Sequence, residues 1–330
     1  MKEYKVCVVG ATGLVGQTFL KVLAEYDFPI QELKLLASAR SKGKAVEFKG
    51  QTYYVEELTA DSFDGFDLAL FSAGGDVSKQ FAPIARAKGL TVVDNSSAWR
   101  QDPAIPLVVP EVNLADTALN KLIANPNCST IQSIIPLKAL DDAFGVTKVN
   151  YATYQAVSGS GQKGKDDLAR TLRGEEPQFY PHNIAETCIP EIDVFMEDGY
   201  TKEEVKMINE TRKILHKPEL PVSATCVRVP VANSHGVAMT VELAQDFTLP
   251  EVEAVLADFP GVILANNNQE HYYPTSTLSN GQDKIYVGRL RKDRATKNGL
   301  LLYCTGDNIR KGAAANAVQI ALAMAKNNQL

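Results

Sequence analysis

The sequence KVCVVGATGLVG, residues 5–16, indicates the fold of the first part of the chain. Its apolar beginning, residues 5–9, predicts a buried strand, and the amphipathic pattern over Leu14–Glu25 predicts a helix. Glycines between a strand and a helix let the backbone turn sharply and let a pyrophosphate approach N–H groups at the positive end of the helix. The same spacing also suits a tight turn without a ligand. The candidate dinucleotide-binding residues of this turn are Gly10, Thr12, Gly13, Leu14, Val15 and Gly16.

The alternation of strands and helices continues through the first 130 residues. Further apolar runs occupy residues 33–37, 67–71, 91–93 and 122–124, and a helical pattern covers residues 77–88. Such runs are typical of central strands in a parallel sheet that helices cover on both faces. We therefore predict an α/β chain that begins with a Rossmann-like, parallel-sheet dinucleotide domain.

The pattern changes after residue 129, where strand-like runs follow one another with few helices between them. They are residues 148–157, 224–231, 237–243, 285–291 and 300–305. They predict an α+β domain with a mainly antiparallel sheet, interrupted by helices over residues 164–173 and 201–215, the second with Thr201 as its N-cap.

The domain boundaries follow from this change of pattern. We predict one domain at residues 1–128 and a second at residues 129–309. An Ala-rich helix over residues 312–326 is expected to pack back on the first domain, so that residues 310–330 complete it.

Composition limits the classes of function. The 330-residue chain has a formal net charge of −5, and it therefore lacks the basic field that nucleic acid or an anionic membrane surface attracts. It has no apolar stretch of the roughly 18 residues that a membrane span needs, and residues 1–6 lead into a strand without a signal-peptide core. A cytoplasmic location, with no nucleic-acid or membrane partner, is the expectation.

The five cysteines have irregular spacing, which predicts neither a disulfide framework nor a metal site. Cys7, Cys226 and Cys304 lie in apolar strand-like runs, where a buried and inert thiol is expected. Cys188 receives no assignment from the sequence.

Cys128 has a different setting, in NPNCST at residues 125–130. It follows a buried strand and precedes a helical pattern over residues 131–140, so its thiol is expected at a helix N-terminus. The helix dipole there favours the thiolate, which is the nucleophilic form of cysteine. A buried cysteine in a strand-to-helix turn is the alternative.

The end of the second strand indicates which dinucleotide binds. An NAD site usually places Asp or Glu there to bind the ribose 2′-hydroxyl, whereas this chain has Ser38, Arg40 and Ser41. A guanidinium and hydroxyls can bind a 2′-phosphate through charge-assisted hydrogen bonds. We therefore predict NADP, with Arg40 as a solvated loop residue as the alternative. Ser72 and Gly74, after the next strand, lie where doubly wound sheets keep their ligands, although a simple βα turn also explains them.

Four motifs together carry a family resemblance. Residues 10–16, 125–130, 155–159 (QAVSG) and 228–231 (RVPV) resemble, in order and over essentially the whole chain, the signatures of the aspartate-semialdehyde dehydrogenase family. The resemblance implies a homodimer formed largely through the second domain. Gly236 departs from the pattern, in which a serine is expected after the histidine.

The resemblance also implies roles for residues that the spacing alone leaves open. Cys128 takes the acyl group, His235 is the acid/base and Gln155 orients the substrate. Arg228 binds the substrate carboxylate, for which a planar guanidinium is well suited. The remaining positions are Arg100, Lys206 and Glu203 for phosphate or substrate, and Ser158, Gly159 and Asn308 near the nicotinamide end of the cofactor.

The activity that this resemblance implies is a reductive dephosphorylation. The Cys128 thiolate attacks β-aspartyl phosphate, phosphate leaves, and the thioester is reduced with NADPH to aspartate semialdehyde, a step in lysine, threonine and methionine biosynthesis. N-acetyl-γ-glutamyl-phosphate reductase shares the architecture and the acyl-phosphate chemistry and is the nearest alternative. A catalytically inactive nucleotide-binding paralogue and a Cys/His hydrolase are the others.

Overall fold

A computed structural model of the chain describes residues 2–330. These residues divide into two compact units. The first unit ends at Pro126 and is completed by Ala313–Leu330, and the second unit is Asn127–Gly312.

The first unit is built on a sheet with the strand order β5-β2-β1-β6-β7-β8. Its strands are β1 (Tyr4–Val9), β2 (Ile30–Ala37), β3 (Ala45–Phe48), β4 (Gln51–Tyr54), β5 (Glu56–Glu57), β6 (Leu68–Phe71), β7 (Thr91–Asp94) and β8 (Leu122–Ala124). Its helices are α1 (Leu14–Glu25), α2 (Gly75–Ala87), α3 (Pro110–Asn113) and the C-terminal α9 (Ala315–Lys326). The strands of the large sheet pair in parallel, which confirms the predicted fold, while β3 and β4 form an antiparallel hairpin that the sequence did not predict.

The C-terminal helix α9 belongs to the core of the first unit. Its Val318, Ile320 and Met324 are buried in one apolar cluster with Val6 and Val8 of β1. The end of the chain therefore packs with its beginning, because the apolar stripe of α9 needs a partner surface.

The second unit is built on a mixed sheet with the strand order β10-β9-β11-β14-β13-β12. Its strands are β9 (Val146–Gln155), β10 (Val222–Arg228), β11 (His235–Leu243), β12 (Val262–Leu264), β13 (Ile285–Lys292) and β14 (Gly299–Gly306). Its helices are α4 (Cys128–Phe144), α5 (Gly161–Thr171), α6 (Lys202–Ile214), α7 (Leu249–Asp258) and α8 (Ser276–Ser279). The pairs β9–β11, β11–β14 and β13–β14 are antiparallel, which confirms the mainly antiparallel sheet, and the parallel pairs β9–β10 and β12–β13 lie at its two edges.

Several details of the second unit differ from the prediction. Strand β9 ends at Gln155 rather than at residue 157, because residues 157–160 form a 3-10 turn. Strand β10 ends at Arg228 rather than at residue 231. Helix α7 was not predicted at all. Thr201 caps α6 as predicted: its hydroxyl accepts the Glu204 N–H, and the Glu204 carboxylate accepts the Thr201 N–H.

Helix α4 runs through the core of the second unit and is buried on most of its faces. Pro136 lies inside it and has no N–H to donate to the carbonyl of Gln132, one turn earlier. The Cys304 thiol donates to that carbonyl instead, with the sulfur 3.8 Å from the oxygen. The helix tolerates its proline because a neighbouring strand supplies the missing donor.

In residues 2–330, no helix has both the length and the apolar character that crossing a membrane requires. The same residues contain no group of three or more His, Cys, Asp or Glu side chains arranged to hold a metal ion.

Candidate active site

Cys128 is the first residue of α4, and the residue before it caps the helix. The Asn127 side-chain oxygen accepts the N–H groups of Ser129 at 2.9 Å and of Thr130 at 3.3 Å. Cys128 itself is partly exposed. A cysteine at a helix N-terminus that solvent reaches has the setting of a reactive thiol.

The other cysteines lack that setting. Cys7, Cys226 and Cys304 are buried, as predicted. Burial raises the pKa of Cys7 and of Cys304 to about 12, and it also raises the pKa of Cys226. These thiols stay protonated at neutral pH. Cys188 is exposed and lies in a loop.

A buried carboxylate, Glu203 on α6, links the helix cap to two predicted site residues. One of its oxygens accepts N–H groups from Asn127 at 2.8 Å and from Gln155 at 3.0 Å. Its other oxygen accepts the Lys206 ammonium at 3.1 Å, and Lys206 also donates to Asp193 at 2.7 Å. The Glu203 carboxylate is thus hydrogen-bonded on both oxygens.

Burial and charge oppose each other in this cluster. Burial alone would raise the pKa of Glu203, but the Lys206 charge and the hydrogen bonds from Asn127, Gln155 and Lys206 hold it below its ordinary value. Burial alone would lower the pKa of Lys206, but Glu203 and Asp193 raise it above its ordinary value. Both groups are therefore charged at neutral pH, and the ion pair is permanent.

Gln155 and Arg228 end neighbouring strands and are register partners in the parallel pair β9–β10. Both are buried. Arg228 Nη1 donates to the Ala156 carbonyl at 2.7 Å, whereas its Nε has no hydrogen-bond partner within the described residues. A buried guanidinium with an unsatisfied N–H is suited to bind an anion.

His235 begins β11 and is fully buried. Its Nδ1 accepts the Ala156 N–H at 2.9 Å, so the neutral ring carries its proton on Nε2. Nε2 has no hydrogen-bond partner in residues 2–330. Burial, and to a smaller extent the charge of Arg228, lower the pKa of His235 well below 6.5. The ring is therefore a neutral N–H donor at neutral pH.

Gly159 lies beside both the Arg228 guanidinium and the His235 ring. A Cβ at this position would lie 2.8 Å from Arg228 Nη1 and 3.3 Å from His235 Nε2. Any side chain here would displace both groups, so the glycine keeps their common space open. Ser158 and Asn308, also predicted for the site, hydrogen-bond to each other in the same unit.

Gly236, which stands where serine was expected, has a steric explanation. A Cβ there would collide with the hydroxyl of Tyr303 on the neighbouring strand β14. Tyr303 covers the backbone of Gly236, and its ring also contacts Tyr154 at a centroid distance of 6.1 Å.

The glycine-rich turn in the first unit fits a dinucleotide. Gly10 has a φ of +84° and its Cβ would collide with the Ser72 carbonyl, while a Cβ on Gly16 would collide with the Gly10 carbonyl. Beside the turn is a cleft of about 560 Å³, within the range of small-molecule sites. Its lining includes the predicted residues Gly10, Thr12, Gly13, Ser38, Arg40 and Ser72.

Five other residues of the first unit that were predicted for the cofactor do not line this cleft: Leu14, Val15, Gly16, Ser41 and Gly74. Leu14 and Val15 begin α1, Gly74 caps α2, and Ser41 is 3.3 Å from Thr12 between their hydroxyl oxygens. Glu57 also lines the cleft, although it was not among the predicted residues.

Arg100 belongs to the first unit. It is buried, and its Nη2 donates to the Asn95 carbonyl at 2.9 Å. Burial raises the pKa of nearby Asp94, and the hydrogen bonds from Ser96 and Ser78 and the charge of Arg100 offset only part of that effect.

Asn127, Glu210 and Ser234 were missed as functional candidates. Asn127 could have been found, since asparagine before a helical pattern is a preferred N-cap. Glu210, whose carboxylate accepts the Asn127 backbone N–H at 2.7 Å, reaches it only through tertiary packing. Ser234 has a left-handed backbone, with a φ of +69°, that no sequence signal predicts.

Comparison with known families defines the class of the chain. Residues 5–120 match the family model described as semialdehyde dehydrogenase, NAD binding domain. Residues 137–311 match the model described as semialdehyde dehydrogenase, dimerisation domain. The chain is thus built from the two domains of a semialdehyde dehydrogenase.

Individual relatives narrow the class. Aspartate-semialdehyde dehydrogenase from Aquifex aeolicus is 51% identical over 98% of this chain and 98% of its own. The Bacillus subtilis protein of the same name is 46% identical, again over 98% of both chains. This chain belongs to the aspartate-semialdehyde dehydrogenase family.

Solved structures agree with that assignment. A crystal structure of aspartate semialdehyde dehydrogenase II from Vibrio cholerae matches with a TM-score of 0.94 and 45% identity over 99% of both chains. A structure of that protein complexed with ASA matches with the same TM-score at 44% identity. The relatives support this family rather than the N-acetyl-γ-glutamyl-phosphate reductase alternative.

Proposed function

We propose that the chain catalyses the NADPH-dependent reductive dephosphorylation of β-aspartyl phosphate to aspartate semialdehyde, in the pathway to lysine, threonine and methionine. The supporting observation is one compact unit that holds a cysteine at a capped helix N-terminus together with two buried, unsatisfied donors, Arg228 Nε and His235 Nε2. This set can bind an anionic acyl substrate and attack it. An inactive paralogue would have no use for two buried donors without partners, so this arrangement favours an active enzyme.

The chemistry follows from the positions of these groups. The Cys128 sulfur attacks the acyl carbon, the C–O bond to phosphate breaks, and phosphate departs with that electron pair. Arg228 binds the substrate carboxylate through its guanidinium. His235 donates its Nε2–H to the oxyanion of each tetrahedral intermediate, which needs a donor rather than a base. The second tetrahedral intermediate, formed by hydride addition to the thioester carbon, collapses to the aldehyde as the C–S bond breaks, and the sulfur takes the electron pair, so that Cys128 returns to thiolate.

NADPH supplies the hydride that converts the thioester to the aldehyde. Gly10, Gly13 and Gly16 provide the turn that admits a pyrophosphate, since side chains at Gly10 and Gly16 would collide with neighbouring carbonyls. Ser38 and Arg40 line the cleft where a 2′-phosphate would bind. We expect Arg40→Ala to lose most of the preference for NADP over NAD. An unchanged preference would overturn the assignment of Arg40.

Glu203 and Lys206 have the other polar roles in this proposal. Lys206 would stabilise the departing phosphate, and Gln155 would orient the acyl group. Glu203 and Asp193 keep Lys206 charged at neutral pH, and its ammonium would exchange one of these carboxylates for the phosphate. The phosphate role of Arg100 remains a prediction from the family resemblance. Ser158, Gly159 and Asn308 were predicted at the nicotinamide end of the cofactor.

The first unit would serve the cofactor, and the second would serve catalysis and dimerisation. We propose a homodimer joined through the face of the second sheet that carries Tyr154 and Tyr303. Tyr154 is 44% exposed, which is high for an aromatic side chain in a central strand. Tyr154→Asp should shift the mass in light scattering from dimer to monomer. A cytoplasmic location remains a prediction.

The decisive experiment is a spectrophotometric assay of phosphate-dependent NADP reduction with aspartate semialdehyde. Cys128→Ala should abolish turnover while NADPH binding, followed by fluorescence titration, stays intact. Cys188→Ala is the matched control, because Cys188 is an exposed cysteine outside the site, and it should keep wild-type turnover. Wild-type turnover by Cys128→Ala would refute the thioester mechanism. Faster reduction of NADP with N-acetylglutamate semialdehyde would instead favour the reductase.

A further inference from the structure

Ser234, the residue before His235, has an unusual backbone conformation. Its φ is +69°, in the left-handed region that residues other than glycine seldom adopt. The residue is also buried. A conformation of this kind persists only where the surrounding structure fixes it, so the neighbours of Ser234 determine how the chain enters β11.

The neighbour that fixes it is Asn308. The Asn308 Oδ1 accepts the Ser234 N–H at 2.9 Å. The same oxygen accepts the Ser158 hydroxyl at 3.1 Å, and the Asn308 Nδ2 lies 2.9 Å from that hydroxyl oxygen. All three residues are buried, so removing the Asn308 side chain would leave the Ser234 amide without its hydrogen-bond acceptor in the protein.

The turn that carries Asn308 is itself held firmly. One oxygen of the Asp307 carboxylate accepts the N–H groups of Ile309 and Arg310, each at 2.9 Å. The other oxygen accepts the Gly281 N–H at 2.7 Å. Asn308 is therefore a fixed point against which Ser234 is oriented.

Two contacts determine the orientation of the His235 ring. Asn308 holds the backbone of the preceding residue, Ser234, and Ala156 holds the ring itself. The Ala156 N–H donates to Nδ1 at 2.9 Å, which directs Nε2 to the space beside Gly159 and Arg228. A rotation of the Ser234 backbone would move the ring away from the Ala156 N–H. The proton position on the ring and its direction would then both be lost.

We propose that Asn308 is a positioning residue for His235: by accepting the Ser234 amide it holds the ring so that Nε2–H is presented to the substrate oxyanion. The inference rests on the proposed function, in which His235 is the oxyanion donor. It assigns Asn308 and Ser158 a task within the protein that differs from the cofactor contact predicted from the family resemblance.

The kinetic test compares Asn308→Ala with a matched control. Asn113→Ala removes an equivalent bond, from the Val109 N–H to a buried asparagine Oδ1 at 2.9 Å, in the first unit. Asn308→Ala should lower kcat about 100-fold, the typical effect of a small misplacement of a catalytic group, with the KM for NADP unchanged. Asn113→Ala should lower the Tm but not kcat. An Asn308→Ala variant that raises the KM for NADP and keeps kcat would overturn the proposal.

Ser234→Gly provides a second, coupled test. Glycine adopts the left-handed backbone without strain, so it needs the Asn308 acceptor less than serine does. The kcat loss caused by Asn308→Ala should be several-fold smaller in the Ser234→Gly background than in the wild type. Equal losses in both backgrounds would mean that Asn308 does not act through Ser234.

A spectroscopic test does not depend on catalysis. In protein labelled with ¹⁵N-histidine, the His235 signals, identified by their loss in His235→Gln, should report an unprotonated Nδ1 and a protonated Nε2. In Asn308→Ala these signals should move towards a mixture of tautomers, and wild-type signals in that variant would refute the positioning role. If the wild type showed this tautomer but reduced no NADP with aspartate semialdehyde, the proposed function would fail while the positioning by Asn308 stood.

Discussion

Replacing Glu203 by glutamine tests whether the buried ion pair beneath the nucleophile supports the second unit. The substitution keeps the shape of the side chain and removes its charge. The carboxylate now accepts donors from Asn127 at 2.8 Å, Gln155 at 3.0 Å and Lys206 at 3.1 Å. The single side-chain oxygen of glutamine can accept the N–H groups of Asn127 and Gln155. The NH₂ group of glutamine must then face the Lys206 ammonium, which it cannot bond.

The magnitude follows from these contacts. Hydrogen bonds to charged groups contribute about 1.5–3 kcal/mol and neutral ones about 0.5–1.5 kcal/mol, so each amide donor loses about 1 kcal/mol. Breaking a fully buried ion pair costs about 3–5 kcal/mol. Lys206 would still have its second ion pair, with Asp193 at 2.7 Å, so losing the pair with Glu203 should cost closer to about 1 kcal/mol. The variant no longer buries the Glu203 charge, and this gain offsets part of these losses. We expect Glu203→Gln to lower the free energy of unfolding by about 2–3 kcal/mol at neutral pH.

The effect depends on pH with a definite sign. The pKa of Glu203 in the folded protein lies below its ordinary value of 4.5. Its contribution is therefore fully present above pH 4.5 and is lost as the pH falls through the lower, folded pKa. The difference in stability between the wild type and Glu203→Gln should shrink over the same interval.

Urea unfolding of the wild type and Glu203→Gln, at pH 7 and at successive values below pH 4.5, measures this difference. Glu251→Gln is the control, because that carboxylate also has a pKa below its ordinary value but is solvent-exposed; it should change stability far less. A difference below about 0.5 kcal/mol at pH 7, the usual range for surface substitutions, would refute the reasoning. So would a difference that is the same at every pH.

Other predictions concern single contacts. A Cβ on Gly312 would lie 2.9 Å from Cys128 Cβ, so Gly312→Ala should displace the nucleophile and lower kcat at least about tenfold; wild-type kinetics would contradict this. Thr201→Ala removes the N-cap of α6 and its capping box with Glu204, and it should cost about 1–2 kcal/mol of stability, measured by calorimetry. An unchanged Tm would show that the capping box does not stabilise the helix. Because the folded pKa of His235 lies well below 6.5, the unfolded chain binds a proton first as the pH falls. Stability should therefore drop below pH 6.5 by up to about 1.4 kcal/mol per pH unit, and urea titrations should find this component missing in His235→Gln.

The larger elements of the fold could be predicted because burial leaves a continuous apolar pattern. Strands such as β6 and β8 are buried along their whole length, so their sequences have no polar alternation to confuse the assignment. Helix α7 was missed although Thr248 and Glu251 form a capping box at its start. Only two of its residues, Val252 and Leu256, are buried, but they are four residues apart and Leu249 is three residues before Val252, so the sequence also had the helical spacing needed to predict it.

The hairpin of β3 and β4 was missed for a related reason. Its strands are short, and five of their eight residues are exposed to solvent. The turn between them, Lys49 and Gly50, has positive φ angles at both positions, which is the conformation of a tight hairpin turn. Lysine is not a residue that this conformation favours, so the sequence carries only the glycine as a signal.

The site could be predicted only as a set of residues, and its geometry could not. Gln155 is far from Arg228 and His235 in the sequence, and the pairing of β9 with both β10 and β11 decides that they meet. The hydrogen bond from Ala156 to His235 Nδ1, which fixes the tautomer, depends on the backbone turn after β9. That turn begins where the sequence predicted that the strand would continue.

The charges of the second unit account for the kind of substrate it would select. The ammonium of Lys206 balances one of the two carboxylates beside it, Glu203 and Asp193, which leaves one negative charge. His235 is neutral because burial and Arg228 lower its pKa. Arg228 is different: within the described residues its guanidinium contacts only a backbone carbonyl, and no carboxylate balances it. A buried cation without a counter-ion is costly, and a substrate carboxylate would remove that cost on binding. The same charge adds to the larger effect of burial in keeping His235 neutral, so the group proposed to bind the substrate also favours the donor form of the group proposed to stabilise its oxyanion.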